Sequence, residues 1–221
     1  MGKSRKTRDA IIQGSIELFN QMGVADISTN HIASHLDISP GNLYYYFPNK
    51  EAIIRAIYER IRTQLETLYG RDQPPLLQLS DYVNVCFQII FEYRFFFSEL
   101  PMILRRDAEL RTDYVQLQAR FKEELAGLIC GLSQVGILVS LDGQDRRMAL
   151  ANSIWIVTIY WHSYLESAPP ISPPAPSREL LKHILFLLTP YIAPEFQAAV
   201  QGIFSSFMEA RGHDSFDLKP E

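Results

Sequence analysis

Apolar residues recur every three to four positions along nearly the whole chain, and the breaks in that rhythm fall at proline, glycine and capping side chains. Residues 3–22 place Ile12, Ile16 and Phe19 on one helical face, flanked by Ile11, Leu18 and Met22, and Gly23 is a suitable stop. The stretch 28–50, STNHIASHLDISPGNLYYYFPNK, then reads as two short helices around a tight turn. Ser28 or Thr29 can cap the first, whose apolar stripe is Ile32, Ala33 and Leu36. Asp37 falls where that helix must end and tolerates a left-handed backbone better than most residues. Ser39 can cap the second helix with Pro40 at its first position, and Pro48 closes it. From Asn49, a good cap, a longer helix is expected over 50–69.

Beyond the composition break at 70–75, GRDQPP, the pattern stays helical. Helices are expected over 76–93, over 95–106 with a kink at Pro101, and over 107–135 with Gly136 as its stop. The segment 137–141, ILVSL, fits a short strand on pattern alone but reads better as a turn between helices. Asp142 would cap a helix to about 167, with Leu150, Ile154, Val157, Trp161 and Leu165 as its stripe. A stiff Pro-rich loop (168–176), a helix capped by Ser177 over 177–188, a last helix over 194–211 and a disordered tail (212–221) complete the chain. The expected fold class is all-α. A three-helix head (1–50) leads through a connecting helix (50–69) into a larger helical body (70–211).

Charge divides along the same line. The first 63 residues hold eight Lys/Arg against six Asp/Glu, and the remainder thirteen against nineteen, within a net charge of −4. Lys3, Arg5, Lys6 and Arg8 open the chain without an acid. A mildly basic head on an acidic body suits contact with phosphate through one end only. The basic start either reaches phosphate or the minor groove, or frays in solvent. No apolar run is long enough to span a membrane and the N-terminus lacks a secretory h-region, so a cytoplasmic protein is expected. Cys86 and Cys130 lie in apolar segments without metal-ligand spacing and read as buried free thiols.

Two helices joined by about four residues, the second short and rich in hydrogen-bonding side chains, have the geometry of a helix-turn-helix placed in a DNA major groove. Thr29 and Asn30 start its first helix, where backbone N–H groups can hold a phosphate. Ser39, Pro40 and Gly41 open the second helix, and Gly41 lets the backbone approach DNA closely. Asn42 can read adenine in a bidentate manner, and Tyr45 and Tyr46 can reach phosphates or thymine methyls. Three successive tyrosines point about 100° apart, so at least one must be partly packed, and Tyr44 is expected to be that one while still reaching a phosphate. Leu43 and Phe47 face the other way and belong to the core. His31 and His35 have the spacing of a metal pair, but no third ligand is near, and solvated or DNA-facing histidines are the better reading.

The order Gly23, Ser28-Thr29, Ile32-Ala33, Ser39-Pro40-Gly41-Asn42-Leu43-Tyr44, Phe47, Lys50-Glu51 resembles the TetR family of bacterial transcriptional regulators over roughly 8–54. Tyr44 matches the family tyrosine, and Lys50 matches the lysine beside the DNA backbone. Asp37 stands where the family usually has Gly, implying a slightly strained turn. Tyr46 stands where it often has His, leaving the operator sequence open. The resemblance implies a homodimer that binds a palindromic operator on double-stranded DNA, represses by default, and is released when a small effector shifts the population toward a conformation with its heads spread. No cofactor or metal is implied.

The body carries its own hints. Five consecutive apolar residues at 184–188 cover a whole helix circumference, and the helix before them has a second oily face beside its stripe. Ala151, Trp155, Ile159 and His162 on the one, and Leu181, Ile184, Leu185 and Leu188 on the other, are therefore the expected dimer interface. In a monomer both helices would instead be central. Phe87, Phe91, Phe95, Met102, Tyr114, Phe121, Trp155 and Tyr160 form the pool for an apolar effector pocket, with Glu92, Arg94 and His162 as orienting groups. Ordinary core packing is the competing reading for each. An enzyme is disfavoured, because the sequence has no phosphate loop, no nucleophile motif and no ligand-spaced cluster. The remaining alternative is a helical ligand-binding or adaptor protein whose head does not bind specific DNA.

Overall fold

In the computed structural model, which describes residues 2–167 and 176–210, every regular element among the described residues is a helix. The chain forms two compact units. One combines residues up to 67 with Glu92–Leu117, and the other combines Leu68–Phe91 with the described residues from Gln118 onward.

The first unit begins with α1 (Gly2–Asp26), which breaks at Gly23, where φ 81 and ψ 161 are not helical. Ile11, Ile12, Ile16 and Phe19 are almost fully buried, as their spacing requires. The helix-turn-helix follows as α2 (Thr29–His35) and α3 (Pro40–Tyr46). Ser28 caps α2 in a reciprocal box: its Oγ accepts the His31 N–H at 3.2 Å, and His31 Nδ1 accepts the Ser28 N–H at 3.3 Å. The turn is closed by Asp37 N–H to Ser34 C=O (3.2 Å) and Ile38 N–H to Ala33 C=O (3.0 Å), the bond pair of a Schellman end. Asp37 adopts φ 52 there, the left-handed conformation expected of it. Ser39 caps α3 through the Asn42 N–H, with Pro40 in its first turn. Asn49 caps α4 (Lys50–Glu66) through the Ala52 N–H at 2.8 Å.

Residues 92–117 group with this head, so the boundary expected near Gly70 is not the only place where the chain changes unit. The reason is aromatic burial. The run RFFFS is α6 (Arg94–Ser98), and Phe95, Phe96 and Phe97 all enter the head's core. Phe95 packs on Phe19 at 5.1 Å, and Phe96 packs near Tyr58 at 6.2 Å and Tyr114 at 6.5 Å. Pro101 does not kink a helix. It sits in the first turn of a new one, α7 (Leu100–Arg106), where its missing N–H costs nothing. Asp107 then caps α8 (Ala108–Gln134), its Oδ1 accepting the Leu110 N–H at 2.9 Å.

The second unit holds α5 (Pro75–Glu92) up to Phe91, the later part of α8, α9 (Gln144–Ser167), α10 (Pro176–Leu188) and α11 (Gln197–Ala210). Its aromatic core joins α5, α8 and α9: Tyr82 with Phe121 (5.9 Å), Phe121 with Trp155 (5.1 Å), and Phe87 with Phe91 (4.7 Å). Gly143, not Asp142, occupies the position just before α9. The ILVSL segment does keep a trace of strand character, an isolated antiparallel bridge between Leu138 and Ile192. The Pro-rich loop at 168–175 and the tail from 211 lie outside the described residues.

The outward face of α9 is not the one expected, although Leu150 and Trp161 of its expected stripe are buried. Trp155, Ile159 and His162, expected against a partner, are buried within their own unit. His162 turns its edge to the Phe91 ring at 5.2 Å and places Nε2 3.0 Å from the Ile90 carbonyl. Ile156, Tyr160 and Tyr164 face outward instead. On α10, Leu181 and Leu188 are buried, Ile184 and Leu185 are half-buried, and Phe186 is 76% exposed. A helix oily all round gives no periodic cue to its inner face; packing against α5 and α8 decides it for α9, and packing against α9 and α11 for α10.

Candidate nucleic-acid interface

The short α3 separates its residues cleanly. Leu43 and Phe47 are buried, while Gly41, Asn42, Tyr44 and Tyr45 are exposed, Tyr45 at 79%. Tyr46 is half-buried and lies edge-to-face with the Tyr45 ring at 5.0 Å, so Tyr46, rather than the expected Tyr44, is the tyrosine that packs. A Cβ built on Gly41 would meet nothing within 4 Å. Ser39 and Pro40 are exposed at the start of the helix.

Beside α3 lies an open groove of about 350 Å³ lined by Ile27, Ser28, Thr29, Tyr44, Asn49 and Lys50, among others. Both α2 and α4 begin at its wall, and helix starts attract anions. Thr29 Oγ1 and Tyr44 Oη are 2.9 Å apart, fixing the tyrosine ring across the two helices. Asn30 is exposed on the same first turn. Asn49 lines this groove as well as capping α4; its sequence position announced only the cap.

Lys50, matched to the family's lysine beside the DNA backbone, lines this groove and uses two of its three ammonium donors within the head. Its Nζ donates to the Val24 carbonyl at 2.5 Å and the Ile27 carbonyl at 2.8 Å, where α1 ends. Burial, and then the nearby Arg106, lower its pKa from the ordinary lysine value. The two histidines also have specific work. His31 completes the α2 cap, and His35 lies 3.6 Å from Glu17.

The expected effector residues do not converge. Phe95 and Tyr114 belong to the head's core, and Met102 lines a small cavity there with Val24, Ile54, Ile103 and Leu110. Phe87, Phe91, Phe121 and Trp155 lie in the second unit, while Tyr160 is half exposed on its surface. Of the orienting groups, Arg94 reaches the Asn20 carbonyl in the head and only His162 stands among the second unit's aromatics.

Comparison with known proteins decides the family. Residues 11–57 match the bacterial regulatory proteins of the tetR family, and residues 58–200 match the TetR model described as a bacterial transcriptional repressor. The chain belongs to the TetR family. Among curated TetR-type relatives, the HTH-type transcriptional regulator RutR of Escherichia coli K12 is 29% identical over 175 residues, covering 74% of this chain and 76% of RutR. Among solved structures, a TetR-family transcriptional regulator from Marinobacter aquaeolei VT8 is 33% identical, with a TM-score of 0.79 over 91% of this chain and 98% of that one. PfmR of Thermus thermophilus, at 18% identity and a TM-score of 0.63, shares the fold over 81% of this chain and 97% of its own. Membership makes the chain a DNA-binding transcriptional regulator with a helix-turn-helix head rather than an enzyme. Among the described residues, no helix is long and apolar enough to cross a membrane.

Proposed function

We propose that this TetR-family protein is a ligand-responsive repressor that binds a palindromic operator as a cytoplasmic homodimer and is released by a small apolar effector. The observation that carries the reading is the surface of α3. Gly41, Asn42 and Tyr45 stand clear of the fold beside a groove bordered by two helix starts. Asn42 reads a base edge, Tyr45 reaches a thymine methyl or a phosphate, and Thr29, Asn30, Ser39 and Tyr44 hold the backbone. Lys50 contributes its charge from behind while its ammonium ties α4 to the end of α1.

One short helix offers few base contacts, so pairing is needed for specific affinity. The apolar surface for it is on α9 and α10: Ile156, Tyr160, Tyr164 and Phe186 outward, with Ile184 and Leu185 half covered. A two-fold axis through that surface relates two α3 helices and calls for a two-fold symmetric operator. We assign effector binding to the second unit, where Phe87 packs on Phe91, Phe91 on the polar His162, and Phe121 on Trp155. Such a wall favours an apolar molecule with a single hydrogen-bonding group.

Selection of bound sequences from a random DNA pool tests the reading. A two-fold symmetric consensus is expected, degraded at symmetric positions by Asn42→Ala. Absence of any enrichment at low salt would overturn it, because phosphate contacts are strongest there.

A further inference from the structure

The break in α1 at Gly23 is held from outside the helix-turn-helix. The Val24 N–H, released from the helical ladder by the Gly23 backbone, donates to Glu99 Oε1 at 2.6 Å. The Val24 carbonyl accepts from Lys50 Nζ at 2.5 Å. One peptide residue is thus gripped on both sides, by α4 and by the turn between α6 and α7. A Cβ on Gly23 would lie 3.0 Å from the same Glu99 oxygen, and φ 81 already disfavours one. One turn earlier, Asn20 closes onto the other end of α6. Its Nδ2 donates to the Glu92 carbonyl (2.8 Å), its Oδ1 accepts the Phe95 N–H (3.1 Å), and its own carbonyl accepts from Arg94 (3.2 Å).

We infer that Asn20 and Glu99 are positioning residues for DNA binding, which fasten residues 92–99 to the end of α1 and so set where the helix-turn-helix begins. The chain enters the head unit from the second unit between Phe91 and Glu92, at the first of these bonds. Val24 is four residues ahead of Ser28, the α2 cap, and Ile27 shares the Lys50 clamp. A shift of residues 92–99 therefore moves the start of α2 through hydrogen bonds to α1, in addition to any movement of α4. The bonds are polar and directional, whereas the Phe95–Phe19 contact beside them would tolerate sliding. Neither Asn20 nor Glu99 belongs to the surface assigned to DNA, so they act through the placement of α2 and α3.

The inference rests on the DNA-binding reading, and its test keeps the two apart by using a second readout. In the full-length protein, Glu99→Ala, Glu99→Asp and Glu99→Gln are compared for amide exchange at Val24, affinity for the selected operator and melting temperature. Glu99→Ala removes the acceptor and Glu99→Asp withdraws it by one methylene. Both should expose the Val24 amide about tenfold more and weaken operator binding about tenfold, the scale of a charge-assisted hydrogen bond. Glu99→Gln keeps an acceptor oxygen and should stay within about twofold of wild type in both. Unchanged Val24 exchange in the Ala and Asp variants overturns the clamp. Loss of affinity that tracks melting equally in all three, Gln included, reduces Glu99 to a stabilising residue and overturns the positioning role. If wild type enriches no DNA sequence, the DNA reading fails, while Val24 exchange still reports on the clamp.

Discussion

The hydroxyl of Thr29 lies 2.9 Å from that of Tyr44, so the first residue of α2 and the middle of α3 share a single hydrogen bond across the helix-turn-helix. The ring of Tyr44 is thereby fixed at the edge of a groove into which two helix N-termini open. Removing either hydroxyl should leave the fold intact and loosen the tyrosine. Tyr44→Phe and Thr29→Val are each expected to weaken operator binding about fivefold, roughly 1 kcal/mol. Filter binding or fluorescence anisotropy on the double variant checks the coupling. If the two losses simply add, the hydroxyls act independently.

Asn42 makes a different prediction because its proposed role is to discriminate among bases. Asn42→Ala should cost about 1–3 kcal/mol on the preferred operator and much less on a sequence altered at the base it reads. The slope of log affinity against log salt should not change, since no phosphate contact is lost. A uniform loss across sequences, with a shallower slope, would move Asn42 to the phosphate-holding group.

Asp107 ties acid sensitivity to the head. Burial alone would raise its carboxyl pKa, but the two-pronged grip of Arg55 (2.6 and 2.8 Å) and the Leu110 N–H outweigh burial and hold it below the ordinary value. A depressed carboxylate contributes stability that is complete above the unfolded-state pKa and is lost as pH falls through the folded one. Asp107→Asn should therefore melt lower than wild type at pH 7. The gap should close as pH drops below about 4. A gap that persists at pH 2 would mean that the α8 cap, not the ion pair, carries the effect.

The two sides of α9 and α10 should respond in opposite ways. Tyr160→Glu combined with Phe186→Glu is expected to convert a dimer to a folded monomer by sedimentation, with melting little affected at low concentration. Trp155→Ala should instead destabilise the second unit by about 3–5 kcal/mol, because it empties a packed site beside Phe121. A surface pair of glutamates that leaves sedimentation unchanged would remove this face from the interface.

Asp37 offers a gain. Its left-handed φ of 52 suits glycine better, so Asp37→Gly should raise stability by about 1 kcal/mol in thermal unfolding. A neutral or negative result would show that the Asp37 side chain makes its own contribution to the turn.

The head was legible because its signals are local. Ser28, Asp37, Ser39, Pro40, Pro48 and Asn49 each act on the backbone within a few residues, and the structure uses each where the sequence placed it. What escaped depends on distant partners. Phe95 looks like a pocket wall until Phe19 is known to pack on it. Nothing near Lys50 in the sequence announces the two carbonyls from the end of α1 that its ammonium also holds. On α9, apolar residues stand on every side, so Trp155 and Tyr160 are equivalent in the sequence and opposite in the fold. His31 could have been found, since a side chain three residues after a serine cap is placed to close the capping box.

Gly41 stands at the front of α3 with no atom near enough to object to a side chain, and its backbone is part of an ordinary helix. The position carries no packing duty, so on the proposed reading its occupant answers only to the DNA. A library randomised at residue 41 should consist mostly of folded proteins that differ in operator preference. That separation makes residue 41 the place to retune the regulator toward a new promoter without rebuilding the rest.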